Sequence, residues 1–420
     1  PSSSRIASHE YPHVDPYDRL TKGPSMLRIT TSPRPDWRTA VESKGLLFHS
    51  LDDQPYWDES AYFLFEANEI DAVEKATYQL NEMCLAAVER VIVDGRLGEL
   101  DIPQRFHRFV AESWERDEHT IYGRFDLAFD GNGPPKLLEY NADTPTSLLE
   151  AAVIQWYWMQ DLLQGRNDRD VFDQFNSLHE RLLGAWTRIR RERSRRVVFA
   201  VLDDSIEDVM TVAYLRDTAM QAGLSTETLA VSQIGWDARR GTFTDLAERP
   251  IDLLFKLYPW EWMLREEFAQ FLPGAKTRWL EPPWKMVLSN KAILPILWEM
   301  FPKSPYLLRA SFDPIGGDHV VKPFYSREGA NVAVVRDGQT VAQTDGDYAD
   351  GPQIYQEYHP LWTEDGRHAV IGSWIVNGYA CGLGVREDEG PVTRNTSRFH
   401  PHLFRGNRYA KPPVIRAQTA

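Results

Sequence analysis

The chain has 420 residues, with 61 acidic against 47 basic side chains; a formal net charge of −14 excludes a general nucleic-acid binder, whose affinity would rest on basic surface. Hydrophobic residues make up 42% and charged residues 26%, which excludes a disordered chain; at roughly 100–200 residues per domain it is long enough for two or three folded units. No stretch reaches the ~20 apolar residues of a membrane helix, and the first residues lack the apolar centre of a signal peptide, so we expect a cytoplasmic protein without membrane partners.

Residues 1–45, rich in Pro, Ser and Arg, read as an arm laid over the surface. From Glu59 to Ile92 apolar residues recur at helical spacing and predict one long amphipathic helix. The segment YGRFDLAF (122–129), the turn-rich DGNGPP (130–135) and KLLEYN (136–141) predict a β-hairpin. A helical, aromatic run follows at 147–163, where Trp156, Tyr157 and Trp158 read as core or interface packing. The arginines of 188–196 read as a solvated helix end, favoured there by the helix dipole. Between about 195 and 280 the rhythm becomes β-α-β. Ligands of open sheets gather beyond the carboxyl ends of strands, which makes Asp203, Asp204 and Glu207 substrate candidates. The alternative is plain helix capping by Asp204 or Ser205 with an acidic first turn. Cys84 and Cys381 show no Cys-x-x-Cys spacing, so neither a disulfide frame nor a zinc site is expected.

The hairpin carries the first chemical signal. Side chains alternate along strands, so Phe125, Leu127 and Phe129 share one face and Arg124, Asp126 and Ala128 the other; on the second strand Leu138 and Tyr140 match the apolar face. That register sets Asp126 opposite Glu139 and Arg124 opposite Asn141. Two carboxylates directly opposite repel by about 0.2–1 kcal/mol, and a bound cation reverses the sign. Asp126, Glu139 and Asn141 supply hard oxygen donors of the kind Mg²⁺ takes in small number, leaving positions for water and phosphate. Arg124 beside them can meet phosphate oxygens with both arms.

Further along, HVVKPFYSREGANVAVV (319–335) is strand, polar loop, strand. Lys322 as a point charge, Arg327 as a fork and backbone N–H groups near Gly329 suit a polyphosphate, although the Walker spacing is missing. The segment 281–302 carries Lys285 and Lys291, the latter near the start of a helix interrupted by Pro295, and QIYQEYHPLW (353–362) ends a strand with Gln356 and Glu357, suited to the polar edge of a purine. A hairpin turned at Asn377-Gly378 leads to a polar segment with Arg386, Thr393 and Asn395.

Taken together, GRFDLAF…LLEYNADTPTSLLEA, EPPWKMVLSNKAILPILWE, VVKPFYSREGANV, YQEYHPLW and GLGVREDEG resemble the synthetase module of the glutathionylspermidine synthase family, over about residues 50–405. The resemblance implies an α/β fold of the ATP-grasp type, with the metal-binding strands before the glycine flap in permuted order, plus a smaller three-layer domain. On that basis the chain divides into the arm (1–45), a first ATP-grasp part (46–190), an inserted β-α-β domain (191–284), a second ATP-grasp part (285–410) and a tail (411–420).

The resemblance also implies an ATP- and Mg²⁺-dependent ligase that activates a carboxylate as an acyl phosphate and joins it to an amine, a polyamine among the candidates. Asp126, Glu139 and Asn141 would hold magnesium and Arg124 would contact phosphate. Lys291 and Lys322 would bind ATP, Lys291 being preferred over Lys285, and Gln356, Glu357 and Tyr358 would line the adenine. Arg327 would meet the transferring phosphoryl group, and Arg386, with Thr393 nearby, would hold the acid or its tetrahedral intermediate. Asp203, Asp204 and Glu207 are the candidates for the amine. Two departures matter. The amidase domain of bifunctional relatives is not in this sequence, so hydrolysis of the conjugate is not expected. Ser326 stands where related flaps often have glycine, so closure should be stiffer. A glycosidase using paired carboxylates, or a nucleotide-binding protein without catalysis, are the competing expectations.

Overall fold

The computed structural model describes residues 26–51 and 53–406, so the expected tail at 411–420 and most of the expected arm lie outside the described residues. The described part of the arm is more ordered than its composition predicts. Leu27–Thr30 is a strand and Trp37–Glu42 a short helix. The long helix predicted from Glu59 also needs correction. Ala61–Glu66 is a strand, antiparallel to Leu27–Thr30 and parallel to His402–Arg405, and the helix runs only from Ala67 to Val93. The aromatic run Tyr62-Phe63-Leu64-Phe65 favours extended backbone. The helix starts where Glu66 donates its backbone N–H to the Glu69 carboxylate at 2.7 Å, a reciprocal cap that periodicity alone does not register.

The centre of the molecule is a six-stranded antiparallel sheet. The predicted hairpin, Tyr122–Ala128 with Lys136–Asn141, forms one edge. Beyond it lie Arg367–Val376, Tyr379–Asp388 and Arg398–His400, with Trp362–Glu364 paired to the start of Arg367–Val376. Asn377 and Gly378 turn the two long strands with φ of 48° and 82°, the left-handed pair a tight hairpin requires. The hairpin register is the expected one, Arg124 opposite Asn141 and Asp126 opposite Glu139. It breaks at the next pair. Leu127 faces Leu137, leaving Leu138 as the extra residue of a β-bulge. Leu137 and Tyr140 therefore enter the core, while Leu138, expected there, is half-buried and lines a cavity.

The two faces of this sheet are chemically distinct. On one, Phe125 and Tyr140 stack with ring centroids 3.8 Å apart, and the long helix lies across the strands with Thr77 Oγ1 2.6 Å from Ser373 Oγ. The other presents Arg124 and Asp126. A second sheet of five antiparallel strands faces it, in the order Ala310–Ser311, Gln353–Glu357, His319–Pro323, Ala333–Arg336, Gln339–Gln343. The two sheets are joined at the bulge. Lys322 Nζ donates to the Leu138 carbonyl at 2.8 Å and Gln356 Nε2 to the Leu137 carbonyl at 2.9 Å.

A parallel sheet, ordered Arg278–Leu280, Leu253–Leu257, Arg196–Val201, Ser225–Ala230, forms a separate layer with the helix Ile206–Gln221. Gly223, φ 84°, ends that helix. A fully buried ion pair ties this layer to the hairpin's exit. Lys256 Nζ lies 2.6 Å from Asp143 Oδ1, and the other Asp143 oxygen accepts the Trp260 N–H at 3.0 Å. Among the described residues no helix is long and apolar enough to cross a membrane.

Candidate active site

A cavity of about 150 Å³ opens between the central and the five-stranded sheets. Twelve residues expected to hold a role in the site line it: Arg124, Asp126, Glu139, Asn141, Lys291, Lys322, Arg327, Gln356, Glu357, Tyr358, Arg386 and Thr393. They come from five separate stretches of chain that only the fold brings together.

Asp126 is the hub. Arg124 grips it with both arms, Nε to Oδ1 at 2.7 Å and Nη2 to Oδ2 at 3.1 Å, and Arg386 reaches Oδ2 at 2.6 Å. Arg124 is fixed further by donating Nη1 to the Thr146 carbonyl at 2.6 Å. Asn141 Nδ2 lies 3.1 Å from both Asp126 Oδ2 and Glu139 Oε1, bridging the facing carboxylates. Glu139 Oε2 meets Lys291 Nζ at 2.9 Å. Burial alone would raise the Glu139 pKa, but the Lys291 and Lys322 ammoniums outweigh it and hold the carboxyl well below its ordinary range. Lys322 is buried, which lowers its pKa to about 8 against the pull of Glu139. Its Nζ donates to Gln356 Oε1 at 2.7 Å.

Six cationic side chains and four carboxylates line the cavity, an excess of positive charge in a chain of net charge −14. A pocket of that sign, with donors fixed in advance, suits a polyanion. Asp126, Glu139 and Asn141 also fit a magnesium ion by donor chemistry. The two carboxylates face each other across the hairpin, and the amide between them carries a third oxygen.

The flap closes the far side. Lys291 Nζ donates to the Ser326 carbonyl, and Arg327 Nη2 donates to Thr144 Oγ1 at 2.8 Å. Gly329 has φ 71°, and a Cβ there would sit 2.4 Å from the Thr393 carbonyl oxygen, so the flap rests directly on the segment that carries Thr393. Pro295 does not interrupt its helix. Ile293–Met300 begins just before it, so the proline falls in the first turn, where its missing N–H is harmless.

The remaining expectations fare differently. Lys285 is not in this cavity. It lies among the buried residues of Pro283–Val287, Nζ 2.7 Å from Glu281 and 2.6 Å from the Tyr122 carbonyl. Asp203 and Asp204 are exposed and outside the cavity lining. Ser205 Oγ accepts the Asp208 N–H at 3.3 Å, so the capping alternative holds for Ser205. Glu207 alone of the three points inward. It is buried, it accepts from Thr146, and burial with the nearby Glu150 charge pushes its pKa up to about 7. Of the aromatic run, Trp158 is buried but Trp156 and Tyr157 are exposed, 41% and 38%. Side chains the sequence did not single out also line the cavity, among them Tyr56, Thr144, Thr146 and Ser147. Three of these stand in the ADTPTS run after Asn141, and the positive φ of Ser147, 66°, marks the backbone as unusual there.

The family profile described as glutathionylspermidine synthase preATP-grasp matches residues 28–405. The chain belongs to the glutathionylspermidine synthase family. A Haemophilus influenzae protein that carries the provisional name acid–amine ligase is 39% identical over 90% of this chain and 100% of its own length. The bifunctional glutathionylspermidine synthetase/amidase of Escherichia coli is 31% identical over 81% of this chain but only 58% of its own length. Among solved structures, a glutathione synthetase-like effector from Globodera pallida in its apo form superposes with a TM-score of 0.56, at 9% identity, over 87% of this chain and 95% of that one. That likeness shows an ATP-grasp-type fold. Family membership makes the chain an ATP-dependent acid–amine ligase, which displaces the glycosidase and non-catalytic expectations.

Proposed function

We propose that the chain joins a carboxylate, with glutathione as the first candidate, to an amine of the polyamine class, using ATP and Mg²⁺ in the cavity between the two sheets. The observation that carries this reading is the convergence of Arg124, Arg386, Lys291 and Lys322 on the facing pair Asp126 and Glu139. Asp126, Glu139 and Asn141 would hold magnesium, which would supply positive charge against the phosphates.

The side chains themselves supply position and charge. Lys322 and Lys291 hold the triphosphate, with Gln356, Glu357 and Tyr358 lining the nucleoside end. Arg327, on the flap, spreads charge over the phosphoryl group as it moves to the carboxylate. Arg124 and Arg386 orient the acid and receive negative charge on the carbonyl oxygen when the amine attacks. The flap against Thr393 excludes water, which would otherwise hydrolyse the acyl phosphate. Glu207, buried beside Thr146, is the member of the proposed amine group that reaches inward, while Asp203 and Asp204 are exposed just before the same helix start.

The test is an ADP-release assay over a panel of thiol peptides and amines, with product mass as readout. We expect ADP formation that needs magnesium, an acid and an amine together, and that falls by about 10²–10³-fold in Glu139→Ala. Full activity in that variant would overturn the site assignment.

A further inference from the structure

One buried group of titratable side chains beside the cavity has no part in the roles given above. Tyr56, a wall residue far from the hairpin in sequence, is 3% exposed, and its hydroxyl lies 2.8 Å from Ser147 Oγ, also on the wall. Behind Tyr56 stands Glu150, 3% exposed, at the start of the π-helical turn Glu150–Ile154, the carboxyl whose charge acts most strongly on the phenol. Single turns of that kind recur at functional sites. Ser147 is held at φ 66° without being glycine, a backbone state kept only where the surroundings enforce it.

An amine meets the enzyme as an ammonium ion and cannot attack a carbonyl until it loses a proton. We propose that Glu150 is the positioning residue that receives this proton, through the hydroxyls of Ser147 and Tyr56. The inference rests on the ligase reading above. The ammonium passes one proton to Ser147, Ser147 passes its own to Tyr56, and Tyr56 passes its own to Glu150. The freed nitrogen lone pair forms the C–N bond, and the C–O bond to phosphate breaks. Phosphate leaves with that electron pair and takes up the second nitrogen proton.

The surroundings suit an acceptor that works near neutrality. Burial pushes the Glu150 pKa up to about 7, while its own backbone N–H, the Tyr56 phenol and the Arg124 charge pull the other way. Glu207, the other carboxyl facing this corner, is raised by Glu150 in turn, so the two resist carrying charge together. Arg386 and Arg124 are the cations that act on the phenol.

Hydroxylamine separates this role from all others, because it is already uncharged at neutral pH and traps an acyl phosphate as a hydroxamate without a proton acceptor. Wild type, Glu150→Gln and Tyr56→Phe are assayed with glutathione and the rest of the acid panel, with spermidine or hydroxylamine as nucleophile, across pH. In wild type we expect the spermidine rate to fall about tenfold for each pH unit below about 7. Both variants should lose about 10²-fold or more with spermidine and lose that acid limb, while hydroxamate formation stays at the wild-type rate. If the variants make amide and hydroxamate equally well, or lose both together, the role of Glu150 is refuted and the ligase reading stands. If wild type yields no hydroxamate with any acid, the ligase reading falls and this inference with it.

Discussion

Asp126 Oδ2 and Arg386 Nη2 are 2.6 Å apart although their strands are not neighbours, because the strand between them passes beneath with Gly372 at the crossing. A Cβ on Gly372 would stand 2.9 Å from Arg124 Cδ. Arg124 is buried and held by three hydrogen bonds, so it cannot move aside cheaply. Gly372→Ala should therefore displace the Arg124 fork, lowering ADP formation by about 10²-fold for about 1–3 kcal/mol of stability. Steady-state rates beside urea unfolding check this, and unchanged turnover would sink it.

The two lysines of the 281–302 segment should separate cleanly. Lys285→Met leaves Glu281 buried without its partner and should cost about 3–5 kcal/mol in unfolding free energy. Lys291→Met removes a cation from the cavity wall and should weaken ATP binding with little change in the unfolding midpoint. Calorimetric binding and denaturant titration on both variants decide the assignment; the reverse pattern would exchange their roles.

Gly329 is where the flap meets the Thr393 segment. Gly329→Ala adds about 1–2 kcal/mol of left-handed backbone strain and a collision with the Thr393 carbonyl. The expected result is a flap that ATP no longer protects from proteolysis, with turnover reduced in proportion. Protection equal to wild type would show that this contact is dispensable for closure.

Glu387 provides a pH-dependent term in stability. Burial would raise its pKa, but His400 and Arg28 outweigh it and hold the carboxyl at about 2 in the folded chain, against an ordinary value of 4.5. Arg28 Nε lies 2.6 Å away. A depressed folded pKa gives stability that is full above about 4.5 and is lost as pH falls toward about 2. Glu387→Gln should thus be less stable than wild type at neutral pH, on the order of 3 kcal/mol, with the gap closing across that acid window. Unfolding curves at several pH values test the sign.

How much of this was legible depended on whether the signal was local. The Asp126–Glu139 pairing could be read because alternation along two short strands fixes a register. The bulge at Leu138 could not, since it answers to Lys322 and Gln356, which approach from another sheet. The run before Ala67 matched helical spacing, yet the partners that make it a strand lie at both ends of the described chain. Lys285 and Lys291 look alike in sequence; only the fold puts one against Glu281 and the other against Glu139. Tyr56 and Glu150 carry no motif, and their meeting is a product of tertiary packing alone.

The pair formed by Lys256 and Asp143 bears on how such enzymes diversify. Asp143 follows the hairpin by two residues, so the layer that includes Lys256 is keyed to the same turn of chain that aims Asn141. A chimera that imports a new layer without this lysine inherits an orphaned anion at the junction. Exchange of modules between relatives should succeed only where both halves of the latch travel together.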